Sequence, residues 1–267
     1  MSRLIVGPFN RVEGDLKVNL ELDGDRVARA EVVSPLYRGF EQILKGRDPR
    51  DALVYVPRIC GICSISQSVA SARGLAHVQK LQIPLNGLYA QNLILAAENI
   101  ADHLTHFYLF FMPDFARDIY QPEEWHQTTH TRFRALKGTS EKEFLRARAE
   151  FLHLVGLMAG KWPHTLTIQP GGVTRTIEKQ EKFRLATILI GLRLFLEKNL
   201  FGCKLEEFTQ LSNLDALDSL YEKNHYAQSD FSLFYHISKS LKLDQLGKAY
   251  DRFMSYGVER SEEHTSE

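Results

Sequence analysis

Two cysteines, Cys60 and Cys63, have the spacing at which one chain can hold a single metal ion between two thiolates. A Cys-x-x-Cys pair can also form a redox disulfide, or have no chemical role at all. The chain has three cysteines in all and no second pair follows, so a closed zinc site of four thiolates is not indicated. We expect the third thiol, Cys203, to be an ordinary structural residue.

The residues after Cys63 predict a helix, because Ile65, Val69 and Ala72 recur at helical spacing. A thiol at a helix start feels the positive end of the helix dipole, which favours the thiolate form that binds metals and reacts. The sequence therefore predicts two thiols of thiolate character in front of a helix.

The secondary structure expected around these thiols is that of an α+β fold that is mainly helical. Its small antiparallel N-terminal sheet is expected to pack on a core of long helices. Residues 16–33 alternate between apolar and polar side chains and predict a hairpin that turns at Asp23-Gly24, and residues 4–6 predict a third strand.

Long helices are indicated by apolar periodicity over residues 86–111, 140–160 and 177–199. Ser140-x-x-Glu143 is expected to form a capping box at the second of them. Residues 115–138 are polar and are predicted to be irregular.

Composition excludes several classes of protein. The chain carries 33 basic and 33 acidic residues in 267, so non-specific binding to nucleic acid is not favoured. No apolar run is long enough to predict a transmembrane segment. Three cysteines do not make a disulfide framework, and a reducing cytoplasm is the expected location.

The last eight residues, Arg260 to Glu267, differ from the rest of the chain in being polar and without pattern. They resemble the translation of a sequencing-library adapter, so we expect residues 260–267 to be an artefact and residues 1–259 to be one partial domain. A natural disordered tail is the alternative.

Four stretches resemble the N-terminal half of the large (catalytic) subunit of nickel–iron hydrogenases. They occur in that family's order and at its spacings over about 160 residues. The stretches are Arg11-Val-Glu-Gly14, Arg38-Gly-Phe-Glu-Gln-Ile-Leu-Lys-Gly-Arg-Asp-Pro49, Arg58-Ile-Cys-Gly-Ile-Cys63, and Pro163-His164 leading to Pro170-Gly-Gly-Val-Thr174.

The resemblance implies a nickel–iron centre whose iron carries cyanide and carbon monoxide ligands. It implies that Cys60 is a terminal nickel ligand and that Cys63 bridges nickel and iron. Soft thiolates suit a nickel that changes oxidation state. The family's second Cys-x-x-Cys pair lies near its C-terminus and has no counterpart here, so the resemblance implies a C-terminally truncated chain that is inactive alone.

Two carboxylates acquire roles through the same resemblance. Glu13 matches a glutamate that carries protons between a nickel-bound thiolate and the surface. Glu41 matches a ligand of a structural Mg²⁺, a cation that prefers oxygen ligands. Without the resemblance, Glu13 would be a surface-loop residue and Glu41 a helix-start glutamate.

Four positions indicate the regulatory, hydrogen-sensing subgroup. Asp15 and Gln67 stand where many family members have His, and with Arg58 they are expected to surround the thiol pair. Ile62 and Phe110 stand where most members have smaller residues, and this bulk is expected to narrow the gas channel. The alternative is that Ile62 and Phe110 only pack the core.

The sequence thus predicts a hydrogenase large subunit that oxidises dihydrogen to protons and electrons and serves in dihydrogen sensing. Expected partners are an iron–sulfur small subunit that contains the clusters, hydrogenase maturation proteins and a histidine kinase. The alternatives are an energy-conserving uptake hydrogenase, a quinone-module subunit of the respiratory NADH dehydrogenase type, and a zinc or redox Cys-x-x-Cys protein. The presence of Cys60 and Cys63 argues against the quinone-module subunit, because that family has lost the Cys-x-x-Cys motif.

Overall fold

The structure is a computed structural model that describes residues 2–9, 14–221 and 228–247. Within these ranges the chain is mainly helical and carries a three-stranded antiparallel sheet at its N-terminal end. The predicted fold class is therefore confirmed. The proposed adapter segment 260–267 and Glu13 lie outside the described residues.

The sheet consists of β1 (Ser2–Phe9), β2 (Leu16–Asp23) and β3 (Arg26–Val33), paired in that order. The hairpin turns at Gly24-Asp25, one residue later than predicted, because Asp23 still pairs with Arg26 and Gly24 supplies a positive φ of 59°. Strand β2 is largely half-buried and β3 is mostly exposed.

The thiol turn lies between short helical pieces and a longer helix. These are α1 (Phe40–Leu44), a 3₁₀ turn at Pro49–Asp51, α2 (Ala52–Tyr55), a 3₁₀ turn at Val56–Arg58, and α3 (Ser64–Val78). Helix α3 buries Ile65, Val69 and Ala72, as its periodicity predicts.

The two long helices predicted from residues 86–111 and 177–199 are confirmed, and each ends in a π-helical segment. Helix α4 (Leu85–Thr105) continues through a π segment at His106–Phe111, and a 3₁₀ segment follows it at Met112–Ala116.

Residues 115–138 are less irregular than predicted. They contain a 3₁₀ turn at Asp118–Tyr120 and helix α5 (His126–Phe133), which is too polar for apolar periodicity to indicate it. Its hydroxyls bond back along the helix instead: Thr129 Oγ1 donates to the carbonyl of Trp125 at 2.9 Å.

Helix α6 (Thr139–Ala159) lacks the predicted capping box at Ser140 and Glu143. Ser140 Oγ donates to the carbonyl of Arg132 at 2.8 Å, because α5 ends directly against the start of α6. A capping box occurs instead at Glu178 and Glu181, in front of α7.

The remaining elements complete the helical core. They are the two-stranded hairpin of β4 (Ile168–Gln169) and β5 (Gly172–Val173), α7 (Lys179–Phe195) with its π segment at Leu196–Phe201, α8 (Leu205–Thr209), α9 (Leu214–Tyr221), α10 (Asp230–Ser240) and a 3₁₀ turn at Leu243–Gln245. Helix α6 packs against both α4 and α7.

The hydrophobic core is drawn from these helices and not from the sheet. Its fully buried large side chains come mostly from α3 to α6 and the segments between them, and include Trp125, Tyr108, Phe133, Phe144 and Phe151. The sheet therefore lies beside the core cluster, and apolar strand residues such as Ile5 and Val32 are exposed.

A buried ion pair fixes α10 against α5 and α6. Asp230 is 4 % exposed and accepts from Tyr108 Oη at 2.8 Å and from Arg132 Nε at 2.6 Å. Burial works against the charge of Arg132, but its bonds to Asp230 and Glu143 outweigh this and raise the pKa of the guanidinium. Burial, with the charge of Asp230, raises the pKa of Tyr108.

The β4–β5 hairpin is held on α4 by a close backbone approach. Gln91, which is fully buried, donates from Nε2 to the carbonyls of Gln169 at 2.9 Å and Gly172 at 2.8 Å. Gly172 has a φ of +130°, and a Cβ there would lie 3.0 Å from the Cα of Gly87.

No helix in the described part of the chain is long and apolar enough to cross a membrane.

Candidate metal-thiolate site

The two thiols of the Cys-x-x-Cys pair meet in the turn that leads into α3. Cys60 is 6 % exposed, and Cys63 is partly buried at the N-cap position of the helix. Both are free, and they lie close enough for Cys60 to raise the pKa of the Cys63 thiol. The turn therefore brings two soft sulfur donors to one point, as the spacing predicts.

The thiol of Cys63 does not have the thiolate character expected of a helix start. Burial raises its pKa to about 11, and the hydrogen bond with Cys60 adds to this effect. Gln67 acts in the opposite direction, since its Nε2 donates to Cys63 Sγ at 3.3 Å. Burial therefore opposes the thiolate form of Cys63, and the hydrogen bond from Gln67 favours it.

Arg38 holds the backbone in front of the thiols. Its Nη1 donates to the carbonyl of Ile59 at 2.6 Å and its Nη2 to the carbonyl of Arg58 at 2.7 Å. The guanidinium also lies 4.9 Å from the centre of the Phe40 ring. Arg58 is exposed, and it contributes its carbonyl to this contact.

Glu98 of α4 is a site residue that the sequence analysis missed. It is 2 % exposed, and its Oε1 accepts from the amide of Ile65 at 2.9 Å and from Trp162 Nε1 at 3.0 Å. Its Oε2 accepts from the amide of Ser66 at 2.9 Å and from the hydroxyl of Ser66 at 3.1 Å. The signal for it was available: Glu98 is the one charged residue on a helix face that also carries Gln91, Ile94 and Ala101, all buried.

The loop after α6 packs on the thiol turn from the other side. His164 Nδ1 lies 3.0 Å from the carbonyl oxygen of Pro57, to which it can donate when protonated, and the amide of His164 donates to Ser64 Oγ at 3.3 Å. His164 has a φ of 62° and follows the cis bond between Trp162 and Pro163. These contacts join the loop to the residues on both sides of the thiol turn.

Ile62 and Phe110 line one small cavity beside the thiol turn. Its volume is about 70 Å³, and Glu98, Asp102, Arg148 and Trp162 are among the other residues of its wall. Ile62 is 46 % exposed and Phe110, on the π segment after α4, is 41 % exposed. The two side chains therefore share a cavity, and neither is buried in the core cluster.

Two other predicted site residues, Glu41 and Asp15, have exposed side chains. Glu41 is exposed in the first turn of α1, and Asp15 is exposed just before β2. Among the described residues, no group of three or more His, Cys, Asp and Glu side chains could hold a metal ion. Glu41 alone does not supply the oxygen ligands that Mg²⁺ needs.

This geometry defines a mainly helical protein with a two-thiol candidate metal site. Residues 38–131, which include both thiols, match the sequence model of a family described as nickel-dependent hydrogenase. Hydrogenase-2 large chain of Escherichia coli is 38 % identical over 107 residues, which are 40 % of this chain and 19 % of the relative. The periplasmic NiFeSe hydrogenase large subunit of Desulfomicrobium baculatum is 36 % identical over 115 residues, 43 % of this chain and 22 % of the relative.

The fold is also similar to that of solved hydrogenase structures. The Ni-Fe-Se hydrogenase of D. vulgaris Hildenborough in its reduced state superposes with a TM-score of 0.64 at 30 % identity, covering 74 % of this chain and 42 % of that chain. The matched family model, the two relatives and the solved structure are all described as hydrogenases, and this chain is similar to each of them over part of its length. The matches span about a fifth of the curated relatives and less than half of the solved chain.

The residues present fit part of such a centre. Two free thiols in one turn are soft donors of the kind that nickel and iron accept, and each would have to lose its proton to act as a ligand. Cys203 is partly buried, and burial raises the pKa of its thiol.

Proposed function

We propose that this chain is part of the large subunit of a nickel–iron hydrogenase, which oxidises dihydrogen to protons and electrons. The observation that carries the proposal is the pair of free thiols in one turn, Cys60 and Cys63, within the segment that matches the family. Cys60 would bind nickel, and Cys63 would bridge nickel and an iron with cyanide and carbon monoxide ligands.

When bound, the centre supplies the heterolytic cleavage of dihydrogen, and the chain's own residues hold and surround it. Gln67 donates to Cys63 Sγ and so favours its thiolate form. Arg38 fixes the two carbonyls that precede Cys60. Glu13 would receive the proton and pass it towards the surface; its support is the Arg11-Val-Glu-Gly14 motif.

Dihydrogen sensing is the proposed biological role. It is supported by the bulk of Ile62 and Phe110 on one cavity of about 70 Å³ and by Asp15 and Gln67 in place of histidines. A narrow path hinders a larger gas such as dioxygen more than it hinders dihydrogen. In this role the large subunit would pass electrons to the iron–sulfur small subunit, and a histidine kinase would read its state.

The second candidate is an uptake hydrogenase. The uptake hydrogenase large subunit of Bradyrhizobium diazoefficiens is 39 % identical over 108 residues, 40 % of this chain and 18 % of the relative. The two roles differ in turnover and in the effect of gene deletion. Rapid dihydrogen-dependent dye reduction, with no change in gene expression on deletion, would contradict the sensing role.

We also propose that the protein is cytoplasmic, that hydrogenase maturation proteins bind it, and that Glu41 is a ligand of Mg²⁺. One matched relative is named as periplasmic, so cell fractionation must decide whether the protein is cytoplasmic as proposed. Pull-down of the complete protein during assembly should recover the maturation proteins. Magnesium content should fall in a Glu41→Gln variant of the complete protein.

The activity itself is tested with the complete subunit, its small subunit and matched cysteine variants. Dihydrogen-dependent dye reduction should be lost in Cys63→Ser and retained in Cys203→Ser, because only the first thiol belongs to the pair. Equal activity in the two variants would refute the proposed function.

A further inference from the structure

Glu98 is a buried carboxylate whose donors come from the two segments that flank the thiol turn. It is 2 % exposed, so its charge has to be compensated by the groups around it. The donors are the amides of Ile65 and Ser66 at the start of α3 and the indole of Trp162 in the loop after α6. One carboxylate therefore connects three separate parts of the chain.

The first connection caps α3 from a neighbouring helix. Cys63 occupies the N-cap position but its side chain accepts no capping hydrogen bond, so the first amides of α3 need another acceptor. Glu98 accepts from two of them, and a carboxylate there is also favoured by the helix dipole. This leaves the Cys63 sulfur free to face Cys60 and Gln67.

The second connection holds the loop that backs the turn. Trp162 donates to Glu98, and the next two residues, Pro163 and His164, lie against Gly61. A Cβ at Gly61 would be 3.9 Å from Pro163 Cγ and 4.0 Å from His164 Cε1. The loop thus supports the middle of the Cys-x-x-Cys turn, while the capped helix fixes its end.

We propose that Glu98 is the positioning residue of the thiol pair: it fixes the start of α3 and the 162–164 loop on either side of Cys60-Gly61-Ile62-Cys63, so that both sulfurs meet one metal ion. This rests on the proposed function in that the pair is taken as the metal-binding site. Glu98 makes no described hydrogen bond to either thiol: it positions them through the backbone, and its charge opposes ionisation of Cys63.

The test uses the full chain and Cd²⁺ alone as a thiolate-seeking probe. In Glu98→Gln, an amide replaces one acceptor oxygen, so one set of donors loses its partner. We expect the Cd²⁺ affinity, followed by the cadmium–thiolate absorption band, to fall roughly 10-fold or more. Amide hydrogen exchange at Ile65 and Ser66 should become faster in the same variant.

Asp230→Asn is the matched control, because it also removes a hydrogen-bonded carboxylate charge that is 4 % exposed, but from α10. It should lower stability and leave the Cd²⁺ affinity within about twofold of the original. If Glu98→Gln keeps the original affinity, or weakens it no more than Asp230→Asn does, Glu98 serves only the fold and the proposal is overturned.

A milder variant keeps the proposal testable if Glu98→Gln does not fold. Trp162→Phe leaves the carboxylate in place with one donor fewer, and the Cd²⁺ affinity should then fall about fivefold. An unchanged affinity would overturn the proposal. A complete protein without nickel would instead refute the proposed function, and the Cd²⁺ result would still decide how the thiols are positioned.

Discussion

The buried ion pair between Asp230 and Arg132 should make a large contribution to the stability of the helical core. Asp230→Asn removes the charge while keeping the shape of a side chain that is 5 % exposed. Breaking a buried pair costs about 3–5 kcal/mol, because the remaining charge stays buried. Arg132 keeps its bond to Glu143 at 2.8 Å, so the low end, about 3 kcal/mol, is expected.

Urea unfolding of the full chain, followed by tryptophan fluorescence, measures this cost. A loss of about 3 kcal/mol corresponds to a fall in Tm of about 6–12 °C for a protein of this size. Tyr108→Phe removes one hydrogen bond to the same carboxylate and should cost about 1 kcal/mol. Glu150→Gln, which breaks an exposed pair with Arg146, should cost less than about 0.5 kcal/mol. A cost below about 1 kcal/mol for Asp230→Asn would refute the reasoning.

Three further predictions concern charge, the thiol turn and a close backbone contact. The guanidinium of Arg132 donates a hydrogen bond that lowers the pKa of Glu143 in the folded protein. The ionised Glu143 therefore stabilises the fold above its unfolded pKa of about 4.5, and this stabilisation is lost as the pH falls from there through the lowered folded pKa. Urea unfolding from pH 6 to 3 should therefore show a shallower loss of stability in Glu143→Gln. Arg38→Gln should speed the alkylation of Cys60, measured by mass spectrometry, because the preceding carbonyls are released; an unchanged rate would contradict this. Gly172→Ala should lower stability by about 1–3 kcal/mol through contact with the α4 backbone, whereas Gly171→Ala, with open space around it, serves as the control in thermal unfolding.

The parts of the fold that the sequence predicted correctly are those with a clear apolar period. Helix α4 and helix α7 carry such a period, and both were located within a few residues of their observed bounds. Helix α5 carries polar residues at nearly every position, and it forms where tertiary packing buries His126, Thr129 and Phe133. The capping box at Ser140 was wrong because the end of α5 offered that hydroxyl a nearer partner.

In the candidate site, too, contacts between residues close in sequence were predictable and contacts between distant residues were not. The thiol pair and its contact with Gln67 depend on residues within one helical turn, so spacing alone could predict them. Glu98 reaches an amide 33 residues earlier in the chain, and Trp162 reaches Glu98 from 64 residues later. Such contacts follow from how α3, α4 and the loop after α6 pack together, which the sequence pattern did not reveal.

X-ray absorption at the nickel edge of the complete protein tests the central claim most directly. We predict a nickel surrounded by sulfur, with iron in equal amount when the large subunit is measured without its iron–sulfur partner, and a loss of sulfur scattering in Cys63→Ser but not in Cys203→Ser. Zinc in place of nickel and iron, or nickel with only nitrogen and oxygen neighbours, would contradict the assignment of Cys60 and Cys63 as ligands of a nickel–iron centre.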